Sequence, residues 1–387
     1  MKIAIVVGGR FHAFNLAEQL NYKGYLSQLI TSYPKFYIKK NFNISSDKVK
    51  TIISKEIFSR IISKNKYLNK MLNIDDFLIN YFDKLASKKL DLNNLNILVG
   101  WSSFSLESFK KAQNFNCIKV LERGSSHIQY QYEILKEEYE LLGIKPKLPS
   151  NQIIEKEMQE YEISDYICVP SDFVKKSFIE KGFNEKKIVK IPYGVDLNSF
   201  YRKKNNLNDK KFRVVYVGAS SVRKGIYYLL KAFTELNLND SELLIVGKID
   251  KEIIPIIKKF ENFNVKYFGS KKQNDLNDYY NRADIYVTCS VEEGLSMVQA
   301  QAMACGLPVI CTTNTGGDEI LDDGRSGFVL PIRKVDKLKE KLIYFYENRD
   351  MISVMGNNAY EKATRFLSWS NYGDKMSEFY NKILSKK

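Results

Sequence analysis

Short apolar runs alternate with helix-patterned segments twice over in this chain, and one polar stretch separates the two series. The first series of strand-like runs is Lys2–Val7, Asn96–Gly100, Cys117–Leu121, Asp165–Pro170 and Ile188–Ile191. Helical patterns fall at 12–20, 128–142, 151–163 and 172–181, the last with Ser171 as its cap. The turn Pro192-Tyr193-Gly194-Val195-Asp196 and the polar run Tyr201–Asn206 follow. The second series is Phe212–Gly218, then 242–247, 265–268, 284–288, 308–311 and 327–330, with a helix from about Lys224 and further helices at 334–348, 350–365 and from about 370. Strands alternating with helices give parallel sheets covered on both faces. The expected fold is therefore α/β, with two Rossmann-like doubly wound domains facing across a cleft: residues 1–192, a hinge at 193–206, and residues 207–366, followed by a helix in 367–387. A chain of 387 residues exceeds what one ordinary core holds. Ligands in such sheets sit beyond the carboxyl ends of the strands.

Composition narrows the chemistry. The five cysteines form no C-x-x-C pair, and four lie in or beside apolar runs, so buried thiols in a reducing, cytoplasmic compartment are expected. With His12 and His127 as the only histidines, a histidine-rich metal site is excluded. No run approaches the length of a membrane span. The apolar start Met1–Val7 stops at Gly8-Gly9-Arg10 and reads as a first strand rather than a leader. Net charge is +15, and residues 35–89 hold 13 Lys/Arg against 5 Asp/Glu. Val49, Ile52, Ile53, Ile57, Phe58, Ile61 and Ile62 follow helical spacing there, so a basic, aromatic-bearing amphipathic surface is expected. It suits an anionic membrane face or an ordinary solvated helix. No recognised nucleic-acid motif accompanies the charge, so nucleic acid is not the expected partner.

The stretch from Ser290 to Ile310 carries the strongest chemical signal. It reads as a strand, a loop with Gly294, a helix ended by Gly306, and another strand. Free N–H groups and the helix dipole at such a start bind anions. Glu293 at its mouth would be repelled by phosphate and is suited to hydroxyl groups; the competing reading is a helix cap. Gln301 lies about two helical turns on, points in roughly the same direction, and can donate and accept. A second candidate is Gly218-Ala219-Ser220-Ser221-Val222-Arg223-Lys224-Gly225, where two adjacent cations follow a glycine turn at a strand end. Surface charge is the competing reading for that pair.

The first stretch resembles the E-G-F-G-x-x-x-x-E and A-M-A-x-G-x-P-V pattern of retaining GT-B glycosyltransferases of family 4. The resemblance implies that Glu293 bonds donor-sugar hydroxyls, that Gly294, Leu295, Ser296 and Met297 offer amides to the diphosphate, and that Gln301 replaces the glutamate that holds the ribose. The second candidate resembles V-G-R-L-x-x-x-K-G. Lys224 matches its lysine, Gly218 its glycine, and Ala219 stands where the family has arginine, which leaves Arg223 to supply a cation. Gly269 falls where the family packs the base. Pro192–Asp196 resembles its hinge, and Thr315-Gly316-Gly317 its donor-side loop. The resemblance further implies that the last helix crosses back onto the first domain.

In the first domain, Gly9, Arg10 and His12 follow the first strand, where a Gly-Gly turn lets backbone approach a ligand or is an ordinary turn; the resemblance implies that His12 lies near the acceptor, and a surface role at the helix start is the competing reading. His127 follows the third strand and resembles the histidine that meets the transferred sugar, with a structural histidine as the competing reading; with Glu293 and Lys224 it completes the expected catalytic set. No D-x-D triplet occurs, so neither metal nor cofactor is expected, and the reaction would use a nucleotide-diphosphate sugar and a glycan or lipid-linked acceptor. A nucleotide-sugar epimerase of the same architecture and a non-catalytic sugar-nucleotide binder are the alternatives, the latter favoured by Ala219 and Gln301.

Overall fold

The computed structural model describes residues 1–64, 74–203, 211–260 and 264–386. Residues 204–206 of the expected hinge, and 65–73 of the basic segment with Tyr67, lie outside that set. The first sheet is built from β1 (Ile3–Val7), β2 (Leu26–Thr31), β3 (Val49–Thr51), β4 (Ile97–Trp101), β5 (Ile118–Glu122), β6 (Tyr166–Val169) and β7 (Ile188–Lys190). Its order is β3-β2-β1-β4-β5-β6-β7. The second contains β8 (Phe212–Val217), β9 (Ser241–Val246), β10 (Val265–Tyr267), β11 (Ile285–Val287), β12 (Val309–Thr312) and β13 (Gly327–Leu330), in the order β10-β9-β8-β11-β12-β13. Their strand pairs are parallel; Val6 stands opposite both Ile30 and Gly100, and Val214 opposite both Leu243 and Ile285.

Continuous apolar runs form the central strands because both faces are covered. All five residues of β1 are buried, as are all six of β9. In each sheet the strand order reverses direction beside the first strand, between β1 and β4 and between β8 and β11. Those two switch points are where a crevice opens beyond the strand ends.

Two expectations need correction. Val49 and Ile52 do not belong to the amphipathic helix: Val49–Thr51 is an edge strand paired with β2, and the helix begins at Ile53. Their burial reflects the sheet, whereas Ile53, Ile57, Phe58 and Ile61 remain exposed. β2 itself was not anticipated, because Ser27 and Gln28 interrupt its apolar pattern.

The helix Trp369–Leu384 lies against the helix Ala13–Tyr22 of the first domain. Met376 Sδ is 3.8 Å from Cys168 Sγ, and Phe379 packs edge-on against Tyr166. The Val195 amide donates to the Leu367 carbonyl at 2.6 Å, which ties the hinge to the entry of that helix.

Candidate active site

The loops after β1, β5, β8 and β11 converge on a cavity of about 340 Å³ between the domains. The first domain contributes Phe11, His12, Gly124 and the hinge residue Tyr193; the second contributes Gly218, Ala219, Lys224, Glu293, Ser296 and Gln301. A larger space of about 940 Å³ adjoins it, shares Phe11, Met297 and Gln301, and is bordered by Arg10 and Trp369.

Lys224 and Glu293 form an ion pair inside the smaller cavity. Ser290 Oγ donates to the other Glu293 oxygen at 3.1 Å. Burial pushes the Glu293 carboxyl up, but Lys224 beside it, with Arg223 further off, holds it below its ordinary value. Glu293 does not cap the helix Met297–Ala304; Ser296 occupies that position. Gly225 makes the Lys224 placement possible, since it sits at φ 61° and a Cβ there would lie 1.9 Å from the Cys289 carbonyl oxygen.

The remaining donor-side residues divide. Leu295, Ser296 and Met297 line the cavity, but the Ser296 amide is spent on the Thr315 carbonyl at 3.1 Å. Gly294 faces the other domain: a Cβ there would lie 2.0 Å from the Gly124 carbonyl oxygen, and its own carbonyl accepts from Ser171 Oγ at 2.7 Å. Gln301 lines both spaces, and its Oε1 accepts from the Tyr280 hydroxyl at 3.1 Å. Gly269 closes β10, two strands from β8, and is not part of the cavity wall.

Arg223 does not line the cavity that Ala219 borders. Its Nε donates to Glu292 Oε2 at 2.7 Å and its Nη2 to Ser125 Oγ at 2.9 Å, so the guanidinium points into the domain interface. Glu292 is fully buried there. Its Oε1 accepts from the amide and hydroxyl of Ser126, and its Oε2 also accepts from Gln131 Nε2 at 3.1 Å. Adjacent residues thus split between two tasks, with Lys224–Glu293 facing the cavity and Arg223–Glu292 facing the first domain.

His127 lies elsewhere than the cavity. It is fully buried and is packed among Tyr161, Phe178 and Phe183. Its Nδ1 accepts from the Gln129 amide at 3.3 Å, as the cap of the helix Ile128–Leu141. Burial, then the charges of Arg123 and Lys181, depress its pKa to about 3. The histidine in the cavity wall is His12, whose Nε2 lies 3.1 Å from Glu122 Oε2. Arg10 reaches across to Gln273 Oε1 at 3.2 Å, while Gly9 packs against the Phe11 ring. Glu122 and Glu292 were both missed from sequence. Glu122 ends β5, and a carboxylate at a strand end was the available signal; nothing distinguishes Glu292 from its neighbour.

Among the described residues no group of His, Cys, Asp or Glu is arranged to hold a metal ion. Residues 198–362 match the family model for glycosyl transferases group 1. Over 206 residues the chain is 29% identical to an uncharacterized glycosyltransferase of Methanocaldococcus jannaschii, MJ1178, covering 53% of this chain and 56% of that protein. Over 238 residues it is 23% identical to the capsular polysaccharide biosynthesis glycosyltransferase CapM of Staphylococcus aureus, covering 58% and 63%. In both cases the chain spans less than two thirds of the relative. The crystal structure of Anabaena HepE in complex with UDP superposes with a TM-score of 0.69 at 14% identity, covering 99% of this chain and all of that one. The fold is GT-B. In this GT-B chain the group 1 match falls on the second domain, which carries Lys224 and Glu293, and the first domain lies outside it.

Proposed function

We propose that this protein is a retaining, metal-independent glycosyltransferase of the family 4 type. It would move a sugar from a nucleotide-diphosphate sugar to a glycan or lipid-linked acceptor, in cell-surface polysaccharide or lipopolysaccharide synthesis. The observation that carries the reading is the Lys224–Glu293 ion pair in a cavity between the carboxyl ends of two parallel sheets. A diphosphate entering there competes for Lys224 and leaves Glu293 free to accept from sugar hydroxyls. As the anomeric C–O bond breaks, its electron pair goes to the diphosphate, and Lys224 with the amides near Met297 stabilises the new charge. The acceptor oxygen bonds the anomeric carbon, and its proton passes to a phosphate oxygen. Before the donor enters, Lys224, with Arg223 further off, outweighs the burial of Glu293 and favours its ionised form.

UDP in the HepE crystal supports a nucleoside-diphosphate donor, and CapM supports a polysaccharide product. An exposed apolar patch on the first domain supports a lipid-linked acceptor at the inner face of a membrane. Phe77 stacks on Tyr81, Tyr81 meets Phe58, and Ile57 and Ile61 are exposed on the same helix as Phe58. No helix among the described residues is long and apolar enough to cross a membrane, so attachment would be peripheral. A binder without turnover is the second reading, favoured because Arg223 is engaged by Glu292 and does not line the cavity that Ala219 borders.

Thermal melting with UDP, GDP, ADP, CMP and their sugars in EDTA tests the donor site. A ligand at a hundredfold excess over its Kd adds about 2.7 kcal/mol. A shift with one nucleotide despite the chelator, followed by release of that nucleotide from its sugar, supports the transferase. A shift without release supports the binder, and no shift removes the donor site.

A further inference from the structure

Parts of the chain far apart in sequence meet at His12. Its ring lies 4.0 Å from that of Tyr193 in the hinge and 4.9 Å from that of Trp101 at the end of β4, with Tyr372 of the last helix edge-on at 6.0 Å. Glu122, at the end of β5, holds Nε2 and is 1% exposed, and His12 is 4% exposed. The second Glu122 oxygen and the hydroxyls of Tyr193, Tyr372 and Tyr380 are buried without partners. Burial first, then the Glu122 charge, raises all three phenols well above their ordinary value, so they remain protonated. A carboxylate in such surroundings is costly, and apolar replacement of buried charge is often neutral or stabilising. The site therefore points to a task beyond packing.

We infer that Glu122 is a positioning residue that fixes the tautomer of His12 for a sugar hydroxyl in the cavity. A carboxylate only accepts, so Nε2 must carry the hydrogen. In the neutral ring Nδ1 is then left as an acceptor, on a residue that lines the same cavity as Lys224 and Glu293. The cavity gains two polarities: Lys224 donates toward phosphate, whereas Glu293 and His12 accept from hydroxyls. The identity of that hydroxyl as the donor sugar's rests on the transferase reading; the tautomer does not.

With two histidines in the chain, nitrogen-15 NMR of the imidazoles tests this directly, and His127→Phe assigns the peaks. At about pH 8, His12 is expected as the Nε2–H tautomer. Glu122→Gln, which keeps the shape and removes the charge, is expected to give a mixture of tautomers with an unchanged affinity for UDP. UDP-glucose is expected to shift His12 Nδ1 where UDP does not. An Nδ1–H tautomer in the unsubstituted protein, or one unmoved by Glu122→Gln, overturns the positioning role. Equal shifts with UDP and UDP-glucose overturn the hydroxyl assignment. If neither nucleotide binds, the donor reading falls while the tautomer result still decides the role of Glu122.

Discussion

Lys224 and Glu293 neutralise each other in the cleft, and each is partly reachable by solvent, with side chains 23% and 15% exposed. Lys224→Ala is expected to abolish turnover and to cost about 3 kcal/mol of stability at neutral pH, because it leaves the mostly buried Glu293 charge without its nearest cation. The sign with pH follows from the depressed Glu293 carboxyl: its contribution is full above the ordinary carboxylate range and fades as acid protonates it. The variant should therefore converge on the parent in acid, as urea melts at both pH values would show. His127, buried away from the cavity, is expected to act on stability. Its folded-state pKa of about 3 lies below that of the unfolded chain, so the unfolded state binds the proton first as pH falls. Stability is lost downward from the ordinary imidazole range, by about 2 kcal/mol between roughly pH 7 and 5. His127→Phe should flatten that slope and leave turnover intact; lost turnover in a folded variant would return His127 to the active site.

Elements were more legible than side-chain directions. Each expected strand of the second series is found with its ends shifted by at most one residue; most are buried apolar runs, and β10, which is half-buried around the exposed Lys266, is the exception. β2 escaped because Ser27 and Gln28 break its run, and β3 because an edge strand of three residues has no periodicity of its own. The donor loop was legible as strand–Gly294–helix, but periodicity stops at a loop. It could not say that Glu293 enters the cavity while Glu292 enters the other domain, or that Lys224 and Arg223 part in the same way. The outcome is a latch between two elements, Arg223–Glu292 against Ser126 and Gln131. Removing the fully buried Glu292 strands its partners, although Arg223 is 35% exposed and partly screened. Glu292→Ala should cost about 2–3 kcal/mol and weaken domain closure, measured by urea melting and small-angle scattering. Unchanged scattering with and without UDP in the variant would remove the latch.

At the scale of the whole molecule, the exposed Ile57, Phe58, Ile61 and Phe77 lie in a segment whose net charge is positive. Replacing Ile57, Phe58 and Ile61 with serine is expected to lower co-sedimentation with anionic vesicles about tenfold, since each buried side chain contributes about 1.5–3 kcal/mol and an interfacial one less. Neutral vesicles should bind weakly throughout, and equal binding by the triple variant would confine the patch to another role. The return of the helix Trp369–Leu384 to the first domain has a consequence for synthesis. Tyr372, Met376 and Tyr380 close a wall of the first domain beside Cys168 and His12, yet they are translated after the whole second domain. While the ribosome makes the second sheet, the first must wait with that apolar wall open. The first domain can therefore complete its packing only after the second has been made, so its last step comes late in synthesis.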